Sequence, residues 1–207
     1  MMLLWRLVRA ATALGAILAI VVQAKTLADA GALDVVNFFS YFTIQSNLIG
    51  IAVLLVMAIQ TSRHRPASLE GLRGAATVYL TVTFVVVIAL LKDVDVGLQL
   101  PWVDVVLHKL TPIVIVADWL LDPPLVPISW RRSLTWLAYP LVWLAYTLVR
   151  GAIVGWYPYP FLDPANGGYG QVATTVAIVL VASAAVCVFY AWLGTALGAR
   201  RRRSANF

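Results

Sequence analysis

Thr43 and His108 are the residues of this sequence whose types suit covalent chemistry. A threonine hydroxyl is a weak nucleophile until a neighbouring base takes its proton, and an imidazole has the ordinary pKa for that task. The chain holds two histidines, His64 and His108. His64 stands between Arg63 and Arg65, where it reads as a solvated loop residue. His108 stands in an apolar run, with Asp104 one helical turn before it and Thr111 one turn after, on a single stripe. Pro112 cannot donate to the His108 carbonyl, so the helix should kink there and free polar backbone beside the imidazole.

A second group of polar residues interrupts an apolar run at Asn37, Ser40, Thr43, Gln45, Ser46 and Asn47. Ser40, Thr43, Ser46 and Asn47 share one face by the three-to-four spacing of a helix. An unpaired polar group in lipid costs several kcal/mol, so such residues turn inward and often mark function. In this reading Thr43 attacks a carbonyl and His108 moves the proton. Asn47 or Ser46 supplies an oxyanion donor, and Asp104 orients the imidazole. The plainer alternative is that hydroxyls in membrane helices bond their own backbone or pack against a neighbour, with His108 satisfied by one of them.

Other residues admit two readings. Arg150 could hold an anionic headgroup or carboxylate, or pair with Asp163, Asp104 or Asp34. Asp118, close to Asp122-Pro123-Pro124, reads as a helix terminator paired with Arg131 or Arg132. Trp156-Tyr157-Pro158-Tyr159-Pro160 reads as an interfacial aromatic anchor, or as a lid or portal. Two histidines on opposite sides of a membrane make no haem or metal site, and no cofactor is implied. Cys187 is the sole cysteine and can form no intramolecular disulfide.

The elements that must position these residues are membrane helices. With 62% hydrophobic and 12% charged residues and a mean hydropathy of +0.89, the 207 residues carry too much apolar surface for a soluble domain. The net charge of +6 sits in clusters between apolar runs, which reads as topology rather than nucleic-acid binding. Windows of about 20 apolar residues, the length a span needs, fall at 4–22, 35–59, 74–91, 102–121, 134–149 and 171–193. They predict an all-α membrane protein of six transmembrane helices, one domain over residues 1–207.

Orientation follows from the basic residues, which stay cytoplasmic in short loops. Eleven lie on one side: Arg6, Arg9, Arg63, Arg65, Arg73, Arg131, Arg132 and Arg200 to Arg203. Four lie on the other, Lys25, Lys92, Lys109 and Arg150, offset by acids that include Asp93 and Asp95. Both termini are therefore expected in the cytoplasm. Alternatively the first helix is a signal peptide cut near Ala28-Asp29-Ala30, which leaves five spans in the same orientation. Arginine outnumbers lysine 12 to 3, which leans toward a bacterial inner or plasma membrane. With about 1.5 Å of rise per residue, Thr43 and His108 lie roughly 12 and 9 Å below the outer starts of their helices. The two helices run the same way, so the polar atoms should come within about 5 Å.

The segments Phe39-Ser40-Tyr41-Phe42-Thr43-Ile44-Gln45-Ser46-Asn47 and Leu107-His108-Lys109-Leu110-Thr111-Pro112, followed by Asp118, resemble the androgen-induced-gene and androgen-dependent tissue-factor-pathway-inhibitor-regulating proteins. Arg150-Gly151 and the Trp156 to Pro160 stretch are similar to the small six-span bacterial branch of that family. The similarity runs from about Phe39 to Asp163 and is faint outside those segments. Animal members are threonine hydrolases of fatty acid esters of hydroxy fatty acids. The resemblance implies that the nucleophile and base fall on Thr43 and His108, with a lipid ester as substrate. The rival is a non-enzymatic transporter or lipid-binding module whose polar stripe lines a ligand path, although no inverted repeat or charge relay is visible.

Overall fold

The computed structural model describes residues 2–60, 65–91 and 100–204. His64, Arg63, Lys92, Asp93 and Asp95 lie outside the described residues. Helix α1 covers Met2–Asp29, α2 Val35–Ser40, α3 Phe42–Ile59 and α4 Ala67–Leu90. Helices α5 (Pro101–Val105) and α6 (Thr111–Leu121) flank a π turn at Val106–Leu110. Helix α7 (Trp130–Leu134) leads through a 3-10 turn into α8 (Ala138–Val154), and α9 covers Gly168–Ser204. No strand occurs among the described residues. Five helical stretches there are long and apolar enough to cross a membrane: Leu3–Asp29, Phe42–Ile59, Ala67–Leu90, Trp130–Val154 and Gly168–Arg201. The window expected at 102–121 is one unbroken helical run from Pro101 to Leu121, divided by its π turn.

The expected single helix at 35–59 is two helices. Asp34 caps α2 by accepting from the Asn37 N–H at 2.9 Å, and Tyr41 then adopts an extended backbone (φ −64°, ψ 127°) before α3 starts. A break in a helix leaves carbonyls that need donors. The Gln45 side-chain amide donates to the Phe39 carbonyl at 2.7 Å, and the Trp143 indole N–H donates to the Ser40 carbonyl at 2.9 Å. The Tyr41 ring is wedged edge-on between Trp156 and Tyr159, with 5.7 Å between centroids in both pairs. Thr43 is thereby moved from mid-helix to the first turn of α3.

The kink expected at Pro112 takes the form of the π turn. Pro112 has no N–H for the His108 carbonyl, and the ladder shifts by one residue: the Thr111 N–H donates to the Val106 carbonyl. The Thr111 hydroxyl donates to the same oxygen at 2.9 Å. Single π turns inside α-helices widen the groove locally and rotate the side chains that follow.

At the end of the bundle where α1 begins and the Pro101 to Leu121 run ends, a buried ion network clamps the helices. Arg9 meets Asp118 at 2.6 Å and Asp122 at 2.7 Å. Arg73 meets Glu70 at 2.7 Å and Asp118 at 2.9 Å, and Arg65 joins Glu70 and Asp122, both at 2.7 Å. The Trp5 indole donates to Asp118 at 2.9 Å. Asp118 therefore pairs with Arg9 and Arg73 rather than with Arg131 or Arg132. Removing one partner of a buried pair costs about 3–5 kcal/mol because the other charge is stranded. Burial alone would raise the Asp122 carboxyl. The guanidiniums of Arg65, Arg9, Arg201 and Arg73 outweigh it and hold the group well below the usual carboxylate range. A lowered acid contributes stability that is fully present above its unfolded pKa and is lost as pH falls from there through its folded pKa, so the Asp122 share of this clamp is lost only below the ordinary carboxylate range.

Close packing of α1 on α3 relies on Ala13, Ala16 and Ala19, all fully buried against a core that contains Val53, Leu54 and Met57. Helix α8 is different: its buried residues are Thr147 and Gly151. Long aromatic side chains tie it to the bundle. The Tyr146 hydroxyl lies 3.1 Å from the Ser40 hydroxyl, and Tyr139 donates to the Gln45 side chain. An apolar cleft is left between α4, α8 and α9.

Candidate active site

The structure brings Thr43, His108 and Asp104 together. His108 Nε2 lies 3.2 Å from Thr43 Oγ1, and His108 Nδ1 lies 2.8 Å from Asp104 Oδ1. His108 and Thr43 are buried, at 2% and 6% exposure, so bulk water does not compete for the contact. Asp104 is partly exposed and also accepts from Lys109 Nζ at 3.2 Å. Asp104 and His108 are four residues apart on the same helical run, which gives the carboxylate its reach to Nδ1.

The proton positions follow from the donor inventory. A carboxylate only accepts, so the ring proton belongs on Nδ1, facing Asp104, and Nε2 is left as an acceptor for the Thr43 hydroxyl. A third group completes the set. The Tyr159 hydroxyl oxygen accepts from the Thr43 N–H at 3.2 Å and lies 3.3 Å from Thr43 Oγ1. With the Thr43 proton directed at His108, the Tyr159 O–H donates to Thr43 Oγ1. Burial pushes the Tyr159 phenol up to about 12, so it is a donor at any physiological pH. The Thr43 N–H sits in the first turn of α3, where the helix leaves N–H groups without intrahelical acceptors and presents its positive end. The phenol, set against the positive end of α3 and accepting its Thr43 N–H, is placed to donate to negative charge developing beside Thr43.

Of the supporting residues expected from the sequence, Asp104 meets His108, whereas Asn47 and Ser46 are directed elsewhere. The Asn47 side-chain amide donates to the Thr43 carbonyl at 2.9 Å and to the Leu107 carbonyl at 3.1 Å. Ser46 Oγ donates to the Thr43 carbonyl at 3.1 Å and lies 3.2 Å from Thr83 Oγ1. Both hold the Thr43 backbone, and Asn47 ties α3 to the π turn; neither lines the cavity beside the triad. Arg150 donates to the Asn37 side chain at 2.7 Å and lies over the Trp156 ring, 5.4 Å from its centroid. It stands behind these two residues, on a groove of α8, and outside the cavity they line.

Two cavities meet at Thr43. One of about 200 Å³ is lined by His108, Gln23, Asp34, Asn37, Trp156 and others. The second, of about 90 Å³, is the apolar cleft between α4, α8 and α9, lined by residues such as Val82, Val86, Leu144, Val176 and Leu180. Thr43 and Tyr159 line both; His108 lines the polar one. Among the described residues no group of three or more His, Cys, Asp or Glu side chains is placed to hold a metal ion.

Tyr159 is the site residue that sequence reasoning missed. Its signal was the run of aromatics and prolines around it, which fits an anchor equally well. Pro158 and Pro160 stiffen the loop on either side, and Tyr159 stacks on Phe161 with centroids 5.3 Å apart. Compared with protein-family models, with curated proteins and with solved structures, the chain matches none.

Proposed function

We propose that this protein is a multi-pass membrane hydrolase that cleaves fatty acyl esters, with Thr43 as nucleophile, His108 as base and Asp104 orienting the imidazole. The observation that carries the reading is the relay Thr43 Oγ1 to His108 Nε2 at 3.2 Å and His108 Nδ1 to Asp104 at 2.8 Å, with Thr43 and His108 buried and Thr43 lining an apolar cleft. Thr43 Oγ1 attacks the ester carbonyl while its proton passes to Nε2. The carbonyl electron pair moves onto oxygen, against the Tyr159 hydroxyl and the first turn of α3. Collapse breaks the C–O bond, Nε2 returns the proton to the departing alcohol, and water then repeats the sequence to release the acid and restore Thr43. The resemblance described from the sequence supports the same roles and points to esters of hydroxy fatty acids.

The first test is covalent. A fluorophosphonate should form one adduct, located by peptide mass spectrometry on the segment that holds Thr43. Equal labelling of wild type and Thr43→Ala would assign the nucleophile elsewhere; if neither is labelled and no ester is cleaved, a transporter or lipid-binding module becomes the better reading.

The proposed setting is six spans with both termini cytoplasmic, the Pro101 to Leu121 run serving as the fourth. Its support is the 11-to-four distribution of basic residues. Reporter fusions near Arg65, Arg132 and the C-terminus should report cytoplasm, and fusions near Asp95 and Asn166 should report the outside. A C-terminal Arg cluster that reports outside overturns the arrangement.

A further inference from the structure

The two cavities differ in a way that bears on which part of an ester goes where. A triad base must hand its proton to the leaving alcohol, so the alcohol has to depart on the side of His108 Nε2. His108 lines the polar chamber and not the apolar cleft. The acyl group, which stays on Thr43 Oγ1, then has the cleft to occupy, and Tyr159 stands at the partition because it lines both. The α4 residues of the cleft run from Val78 to Val87, about 13 Å at the helical rise, which suits roughly ten methylenes in extended form.

The chamber's chemistry restricts the alcohol. Its wall sets the Asn37 and Gln23 amides and, at its exposed edge, the Asp34 carboxylate among apolar and aromatic side chains, Leu27, Phe38, Ile44 and Trp156. The Asp104 carboxylate lies behind His108, and its nearest cation, Lys109, is bonded to it. Among the described residues Arg150 is directed at Asn37 from outside the chamber, and Lys25, on α1 between the lining residues Gln23 and Leu27, is exposed and paired with Asp29 at 2.7 Å. A leaving group with its own carboxylate would meet like charge there, whereas hydroxyls would find acceptors and amide donors.

We infer that the preferred substrate joins one aliphatic acyl chain, seated in the cleft between α4, α8 and α9, to a small uncharged polyol seated in the Asp34–Asn37 chamber. This rests on the hydrolase reading. It departs from the anionic hydroxy-fatty-acid leaving group that the family resemblance implies.

The test uses the full-length protein in detergent micelles and three decanoyl esters: 1-monodecanoylglycerol, decyl decanoate and the decanoyl ester of a hydroxystearic acid. Cleavage of the glycerol ester should exceed both others by at least about tenfold in kcat/KM. Val82→Trp, which fills the cleft, should lower turnover of decanoylglycerol by about tenfold or more. It should leave butyrylglycerol turnover within about threefold, with fluorophosphonate labelling retained as the check on folding. If the charged or the wholly apolar leaving group is cleaved as well as glycerol, or if labelled Val82→Trp loses both chain lengths alike, the inference is overturned while the hydrolase stands. If no ester is cleaved in a Thr43-dependent way, both fall.

Discussion

Replacing Thr43 with alanine is expected to reduce hydrolysis of a susceptible acyl ester to the uncatalysed background, with the fold intact. In the proposed mechanism the Thr43 hydroxyl is the attacking group, and no neighbouring side-chain oxygen is placed to substitute for it. Ser46 Oγ is committed to the Thr43 carbonyl and faces Thr83. Tyr159, the other neighbouring hydroxyl, is held protonated by burial. His108→Ala should lower kcat by about two or more orders of magnitude, the usual contribution of a positioned base. Thr43→Ser keeps the oxygen but loses the β-branch that restricts χ1, so part of the activity should remain. Purified variants assayed in parallel, with circular dichroism as the folding control, check this order. A Thr43→Ala protein that retains a tenth of wild-type turnover removes the nucleophile assignment.

The ease of reading this site from sequence varied with how local its signals are. Thr43 and His108 were legible because a hydroxyl and an imidazole inside apolar runs are costly unless they face inward. Asp104 was legible because it lies one turn from His108 on the same helix. The Pro112 irregularity followed from a missing N–H, although whether it becomes a kink or a π turn depends on the Val106 carbonyl finding both the N–H and the hydroxyl of Thr111. The break at Tyr41 had no local signal. Residues 35–59 are continuously compatible with helix, and what ends α2 there is a set of distant donors and rings: Trp143, Trp156 and Tyr159. Read as one unbroken helix, residues 35–59 put Thr43 at the depth of His108 but in mid-helix, whereas the break at Tyr41 sets it at a helix N-terminus. For the same reason Asn47 and Ser46 looked like oxyanion donors. Only the folded chain shows their donors, Ser46 Oγ and Asn47 Nδ2, directed at the Thr43 and Leu107 carbonyls. The buried ion network was illegible in its pairing, since Arg9 and Asp118 are 109 residues apart in sequence.

Asp104→Asn is the second substitution with a large expected effect, and it isolates orientation from charge placement. A carboxylate can only accept from His108 Nδ1, which leaves Nε2 unprotonated toward Thr43. An asparagine can instead offer its amide N–H to Nδ1. The ring proton then moves to Nε2, and the group that should receive the threonine proton already carries one. In serine triads this exchange leaves the geometry intact and costs about 10⁴ in kcat. Here a loss of about 10² to 10⁴ is expected with KM nearly unchanged, because Asp104 does not line either cavity at Thr43. Stability should change little, since the Asp104 side chain is 35% exposed. Lys109→Gln provides the comparison: it removes the other partner of Asp104, 50% exposed and outside the relay, and should alter kcat by less than about threefold, as exposed ion pairs are worth little. Steady-state kinetics on the three proteins decide it. An Asp104→Asn enzyme with more than a third of wild-type kcat, or one whose loss appears wholly in KM, shows that Asp104 does not orient the imidazole and that His108 acts without it.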